Sequence, residues 1–280
     1  MTVKIVTDSV CDLPPQVVKE LGITVVPLHV RFGTKVYRDG VDLTTDQFFA
    51  KLTRSKALPV TSVPSPGDFA GAYDRLAEET DEILVIAVTS KLSGTHEVAL
   101  QSTGLMKRKC RIEVVDSQSA IMGLGFVVIS AARAAQGGAK YDEVLEIVRR
   151  NIPRVEFRAA FDTLEYLQRG GRIGKAQALL GSLLKINPII GLKDGEVIPC
   201  GRERSRAKAI DHLYNFAAGY SRIEEMAVEY AVDVDEADRL VERLGALFPK
   251  ERIYRTRTSP VISTHTGPSL LIVTVMGDKK

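Results

Sequence analysis

Residues Ile83 to Val88 are apolar without interruption and lie between two stretches with helical spacing. A run this short, apolar on both alternating faces, fits a strand of a parallel sheet with helices on either side. Val3–Val6 and Ile112–Val115 have the same character, and each is followed by a short polar segment and then a helical pattern. Repeated β–α alternation of this kind specifies an α/β fold.

The remaining patterns extend that alternation. Asp12 is placed to cap a helix that carries Pro14 in its first turn and stops at Gly22. Thr24 to Phe32 alternates, with Val26, Leu28, Val30 and Phe32 on one face, and Pro27 marks it as an edge strand. Thr44 with Gln47 forms a capping box for a helix bearing Phe48, Phe49 and Leu52. Ser65-Pro66 opens a helix with Phe69, Tyr73 and Leu76 on one face. The segment from Ser119 to Gln136 is a helix apolar nearly all round, and its Gly123 and Gly125 leave room for close packing. Helices are also expected after Asp142 and Gly174, from Ser205, and from Glu236 to Leu247. Strands are expected at Phe157–Phe161, at Met226–Val232, and on both sides of Thr264–Pro268. Asp194-Gly195 predicts a type I′ hairpin turn between Ile189–Leu192 and Val197-Ile198. No internal repeat is visible. The length of 280 residues suits two medium domains. We place them at 1–160 and 161–280, packed closely because no low-complexity linker separates them.

Composition excludes several classes of function. A net charge of +3 argues against a dedicated nucleic-acid binder. No apolar run reaches the length of a membrane span, and the N-terminus lacks a leader pattern, so a cytoplasmic protein is expected. Cys11, Cys110 and Cys200 are too few and too scattered for a disulfide framework or a zinc site. His29, His96, His212 and His265 show no metal-ligand spacing.

Chemistry in open α/β sheets gathers beyond the carboxyl ends of the strands. Here those ends are rich in hydroxyls: Thr7-Asp8-Ser9, Thr61-Ser62, Ser90 through Thr95, and Asp116-Ser117. Any one of these residues is ordinarily a cap or turn residue. Their concentration at equivalent ends instead suits an anion site, with Gly94 allowing close backbone approach. GxxxxGK[ST], GxGxxG after a strand, and GxSxG are all absent, so nucleotide cradles and a hydrolase elbow are not indicated. Asp8 and Asp116 are read as caps rather than as an acid–base pair. His265, in a rigid THTGP turn, suits either a structural or a ligand-contacting role. Two basic segments, Arg169–Lys175 and Arg202–Lys208, are solvated faces by default. With Tyr166 the only aromatic nearby, nucleic acid is a weak reading.

Seven stretches, in order, resemble the DegV family: IVTDSVCDLP (Ile5–Pro14), TSVPSPGDF (Thr61–Phe69), SKLSGT (Ser90–Thr95), VVDSQSA (Val114–Ala120), LEYLQRGGRIG (Leu164–Gly174), GRERSRAKAI (Gly201–Ile210) and HTGP (His265–Pro268). The resemblance covers nearly the whole chain. It implies two α/β domains with a lipid buried between them, and no cofactor other than a bound fatty acid such as palmitate, stearate or oleate. Thr61 and Ser93 would hydrogen-bond its carboxylate, with Ser62, Gly94 and Thr95 beside them and with Arg169 and His265 near the head group. The family includes the binding subunit of bacterial fatty acid kinase, so a separate ATP-dependent kinase subunit is the implied partner. Arg202, Arg204 and Arg206 are then its candidate docking surface. Val63 and Ser269 depart from the family pattern and bear on acid preference. The resemblance points to a lipid carrier without catalysis of its own, linked to phospholipid metabolism. The alternatives are an acyl hydrolase using Ser93 with His265 and Asp116, and a regulator using the basic patch.

Overall fold

The computed structural model describes residues 2–55, 58–180 and 186–280. The chain opens with β1 (Lys4–Asp8), a single 3-10 turn at Ser9–Cys11, and α1 (Pro15–Glu20). Asp12 does not cap that helix. It sits in the left-handed region (φ 48°) between the turn and the helix. The tandem prolines are the reason: Pro14 is held extended, and Pro15 takes the first helical position, where its missing N–H costs nothing.

The single strand expected over Thr24–Phe32 is two strands in two sheets, β2 (Thr24–Val26) and β3 (His29–Phe32). Pro27 has no N–H for a ladder, and the Leu28 N–H donates to the Ser9 hydroxyl instead (3.1 Å), so the chain bends between them. β3 joins β4 (Lys35–Arg38) and β5 (Val60–Ser62) in an antiparallel sheet ordered β4-β3-β5, with α2 (Thr45–Leu52) in the β4–β5 connection. The Thr44–Gln47 capping box on α2 is present. α3 (Pro66–Leu76), β6 (Glu82–Ala87), α4 (Thr95–Ser102) and β7 (Arg111–Asp116) complete a parallel sheet ordered β2-β1-β6-β7. Its central strand explains the unbroken apolar run. Ile83 and Val85 pack with Phe69 and Tyr73 of α3 on one face. Leu84 and Ile86 pack on the other with residues of α5 (Ile121–Gln136) and α6 (Tyr141–Asn151).

The rest of the chain builds the second of the two larger sheets. β8 (Val155–Ala160) is followed by α7 (Glu165–Arg169), and the segment after Gly174 is a 3-10 helix (Gly174–Leu179). β9 (Asn187–Lys193) and β10 (Glu196–Glu203) form the expected hairpin, with Asp194 and Gly195 both at positive φ as a type I′ turn requires. α8 (Arg206–Ala218), β11 (Tyr220–Tyr230), α9 (Val234–Leu244), β12 (Ile253–Arg257), α10 (Pro260–Thr266) and β13 (Leu271–Lys279) follow. The six strands are ordered β10-β9-β8-β13-β11-β12, and α8 and α9 bury one face of the sheet. Residues Val261-Ile262, expected in a strand, belong to α10. Ser259 caps that helix and Pro260 occupies its first position.

The architecture is α/β, with a parallel sheet, a small antiparallel sheet and a mixed six-stranded sheet. β8 pairs with β13 and β9, so the sheets divide the chain before Val155, and a boundary at 160 would leave one strand of the second sheet in the first unit. The uncovered face of the second sheet, with Phe157, Ala159, Phe161, Ile190 and Ile272, shares one apolar core with α5 and the N-terminal elements. α5 is buried almost all round. Its glycines serve protein packing: a Cβ at Gly125 would lie 2.8 Å from the Cys11 carbonyl, and one at Gly123 would lie 2.3 Å from Ser119 Oγ.

Candidate functional site

A cavity of about 110 Å³, measured as space open to the centre of a water molecule, lies in the seam between the two sheets. Its walls are mostly aliphatic and aromatic. Val10, Leu28, Val88 and Leu92 come from the N-terminal side, and Phe157, Ile190, Leu192, Val197 and Ile272 from the second sheet. α5 contributes only its first turn, through Ile121 and the preceding Ala120. Polar atoms enter through Thr61, Ser93, Arg172, His265 and Thr266.

Thr266 turns its hydroxyl back to the Ile262 carbonyl (3.0 Å), and the other four groups are positioned by local structure. Thr61 lies in the middle of β5, paired with Val30 of β3. Ser93 follows the turn that ends the β6 connection. Its hydroxyl lies 2.8 Å from the Thr95 hydroxyl and accepts from the Thr95 N–H (3.3 Å), which fixes the loop at the start of α4. His265 lies in the last turn of α10, with Nε2 2.8 Å from Thr61 Oγ1. A Cβ at Gly170 would lie 2.2 Å from His265 Nδ1, so only glycine lets the ring pack there. The contact is reciprocated: a Cβ at Gly267 would lie 2.4 Å from the Tyr166 ring. The RGGR and HTGP segments thus interlock through one glycine each. Arg172 returns from the Gly170-Gly171 reversal and donates to the carbonyls of Leu92 (3.2 Å) and Gly170 (2.7 Å).

Burial, and then the nearby Arg172 guanidinium, pushes the His265 imidazole down to about 4. The ring is therefore neutral at physiological pH. Its Nδ1 is buried without a partner among the described residues. A proton on Nε2 uses the one available partner, the Thr61 oxygen, and leaves only a lone pair unfilled at Nδ1. Thr61 then accepts from His265 and has its own O–H free to donate into the cavity. The fixed positive charge of the polar end is that of Arg172.

The family model described as "Uncharacterised protein, DegV family" matches residues 2–277. The chain belongs to the DegV family. It is 34% identical over 270 residues to a DegV domain-containing protein of Caldanaerobacter subterraneus subsp. tengcongensis, covering 95% of each chain. It is similar in structure to a DegV family protein of Thermus thermophilus described for its fatty acid binding, with a TM-score of 0.91 and 35% identity over 99% of this chain and 100% of the other. It is also similar to DegV of Bacillus subtilis, described as a fatty acid binding protein, with a TM-score of 0.88 and 29% identity over 99% of both chains. No helix among the described residues is long and apolar enough to cross a membrane.

Within the DegV motifs, the structure brings Thr61, Ser93 and His265 to one cavity and leaves the other nominated residues outside its lining. Ser62 is exposed, and its backbone pairs with His29. Gly94 is exposed at the start of α4, and Thr95 is buried beneath Ser93. Arg169 lies outside the lining: it ends α7 in an ion pair with Glu165, and its side chain is 57% exposed. Arg172, three residues on, lines the cavity. Val63 lies beside Gly94, 3.9 Å from where a Cβ there would stand. Ser269 accepts from the Asp162 N–H (3.1 Å), tying the end of β8 to the start of β13. In the second basic segment, Arg202 and Arg204 are exposed. Arg206 is not free surface charge, because it is paired with Glu236 (2.5 Å) and lies 3.6 Å from Asp162. Asp116 accepts from the N–H groups of Ser90 (3.1 Å) and Gln118 (2.8 Å), a capping role remote from His265 chemistry.

Proposed function

We propose that this protein binds one long-chain fatty acid, with its carboxylate held by Thr61, Ser93 and Arg172 and its chain lying along the apolar cavity. The observation that carries this reading is a narrow apolar cavity with hydroxyls, one neutral imidazole and one guanidinium at its polar end. A carboxylate leaving water needs several donors, because a buried unpaired charge is very costly. The Thr61 O–H, the Ser93 O–H and Arg172 supply them. His265 orients Thr61 without adding a second charge. Each methylene buried in the cavity gains on the order of 0.8 kcal/mol, so chain length sets much of the affinity.

The polar end lies near the surface, since Ser62 and Gly94 beside it are exposed. That placement supports presentation of the carboxylate to a separate ATP-dependent kinase subunit. There a carboxylate oxygen would attack the γ-phosphorus, ADP would leave, and an acyl phosphate would remain. Arg202 and Arg204 are the exposed cations we assign to that docking surface, in a cytoplasmic protein without catalysis of its own. The hydrolase reading lacks support from geometry: His265 pairs with Thr61 rather than Ser93, and its Nδ1 has no carboxylate partner.

Native mass spectrometry of the purified protein, followed by extraction, tests the proposal. One fatty acid per chain is the expected result. A protein that arrives empty and takes up neither palmitate nor oleate overturns it.

A further inference from the structure

α10, which carries His265, belongs in sequence to the C-terminal elements, yet its first turn is held by carboxylates of the N-terminal ones. The Ser259 N–H donates to Asp12 Oδ1 (3.1 Å), and the Val261 N–H donates to Asp39 Oδ1 (3.2 Å). These are N–H groups of a helix start, which no intrahelical carbonyl can satisfy. Asp39 is itself anchored to the cavity wall, since its N–H donates to the carbonyl of Leu28 (2.8 Å). Asp12 reaches α10 from a backbone in the left-handed region. Both side chains are buried, Asp12 at 8% and Asp39 at 2% exposure. Neither is among the residues lining the cavity.

We propose that Asp12 and Asp39 are positioning residues for the head-group site: they clamp the first turn of α10 and thereby set His265 against Thr61. The inference rests on the fatty-acid reading above and adds to it a pair of groups that never touch the ligand. The clamp works through a rigid lever. α10 spans only Pro260–Thr266, less than two turns from the clamped N–H groups to the imidazole, and a proline stiffens its start. At the far end, the ring packs against Gly170, where a Cβ would lie 2.2 Å from Nδ1, and its Nε2 meets Thr61 Oγ1 at 2.8 Å. Loosening the clamped end lets the ring slide off Thr61, and Thr61 then loses the partner that directs its proton at the carboxylate. The acceptor oxygen serves the helix N–H groups in either protonation state, and burial pushes both carboxyls above the ordinary carboxylate range.

The test uses the full-length, delipidated protein and two ligands of equal chain length, palmitate and hexadecan-1-ol, titrated by native mass spectrometry. Asp39→Ala removes one clamp. Asp12→Gly removes the other without backbone strain, since φ there already suits glycine. Each is expected to weaken palmitate binding about tenfold, which corresponds to about 1.4 kcal/mol, while changing hexadecan-1-ol binding less than about threefold. Asp39→Asn keeps an acceptor oxygen and is expected to hold palmitate within about threefold of wild type. The His265 ring, followed by NMR, is expected to titrate nearer its ordinary value in Asp39→Ala than in wild type. Equal losses for acid and alcohol, unchanged palmitate binding in both clamp variants, or no rescue by Asp39→Asn would each overturn the clamp. A wild-type protein that takes up neither ligand would defeat the fatty-acid reading itself, a result the variants cannot mimic.

Discussion

The two sheets contribute to the cavity in different ways. The parallel sheet and its small antiparallel neighbour offer their ends: Val10, Val88 and Ser93 follow strands, and Thr61 lies on a three-residue edge strand. The six-stranded sheet offers its face, through Phe157, Ala159, Ile190 and Ile272. Strand ends present hydroxyls and backbone N–H groups, which suit a charged head. A sheet face presents alternate side chains in a packed layer, which suits a hydrocarbon chain. Under the proposed function, the head and the chain meet different side chains and should respond separately to mutation.

The sharpest test of that separation is the double variant Thr61→Ala with Ser93→Ala. Palmitate affinity is expected to fall on the order of a hundredfold, from about 1–3 kcal/mol per lost donor to a charged group, with the circular dichroism spectrum unchanged. A comparable loss of hexadecan-1-ol would break the comparison. Gly170→Ala should act on the same end through geometry alone. Its Cβ displaces His265, and about a tenfold loss of palmitate affinity is expected by titration. On the face side, Val197→Phe narrows the apolar wall. Stearate should weaken several-fold while a twelve-carbon acid binds as before, and equal effects on both would show that Val197 does not meet the chain.

The smallest effect concerns the seam. Burial pushes Asp8 and Glu229 up to about 7 and Asp39 up to about 6. Above pH about 4 the unfolded chain has released these protons while the folded one retains them. Their stabilising contribution is thus complete below pH 4 and is lost as pH rises through 6 and 7. His265, pushed down to about 4, acts oppositely between pH 4 and 6.5. Three carboxyls outweigh one imidazole, so Tm should be a few degrees higher at pH 5 than at pH 8. Glu229→Gln should flatten that slope, and a Tm that rises toward pH 8 would contradict the account.

Much of this was legible in the chain. The unbroken run at Ile83–Val88, the Asp194-Gly195 turn and the Thr44–Gln47 box are local signals, and each specifies its own structure. That Arg169 lies outside the cavity lining has a local reason as well. Glu165 stands four residues before it, the spacing of a surface ion pair, and the glycines after it turn Arg172 inward. Ser259-Pro260 likewise announced a helix where a strand was expected. Pro27 signals an edge, and β2 before it is the edge strand of the parallel sheet; it also marks the change of sheet to β3. Asp12, Asp39 and Glu229 were not legible at all. Their donors are the N–H groups of Ser259, Val261 and Met122, more than a hundred residues away in sequence, and no periodicity reports such a meeting.

The place of β13 in the second sheet has a consequence for synthesis. β13 lies between β8 and β11, which leave the ribosome well before it does. Until Leu271–Lys279 has emerged, those two strands have no shared neighbour, and the face bearing Ile272 does not exist. The parallel sheet can form during translation, because its strands are all made by Asp116. The second sheet must wait and then close a loop of about a hundred residues in one step, the kind of long-range pairing that slows folding. The part of the cavity wall that Ile272 completes is therefore made after every strand of the parallel sheet opposite it.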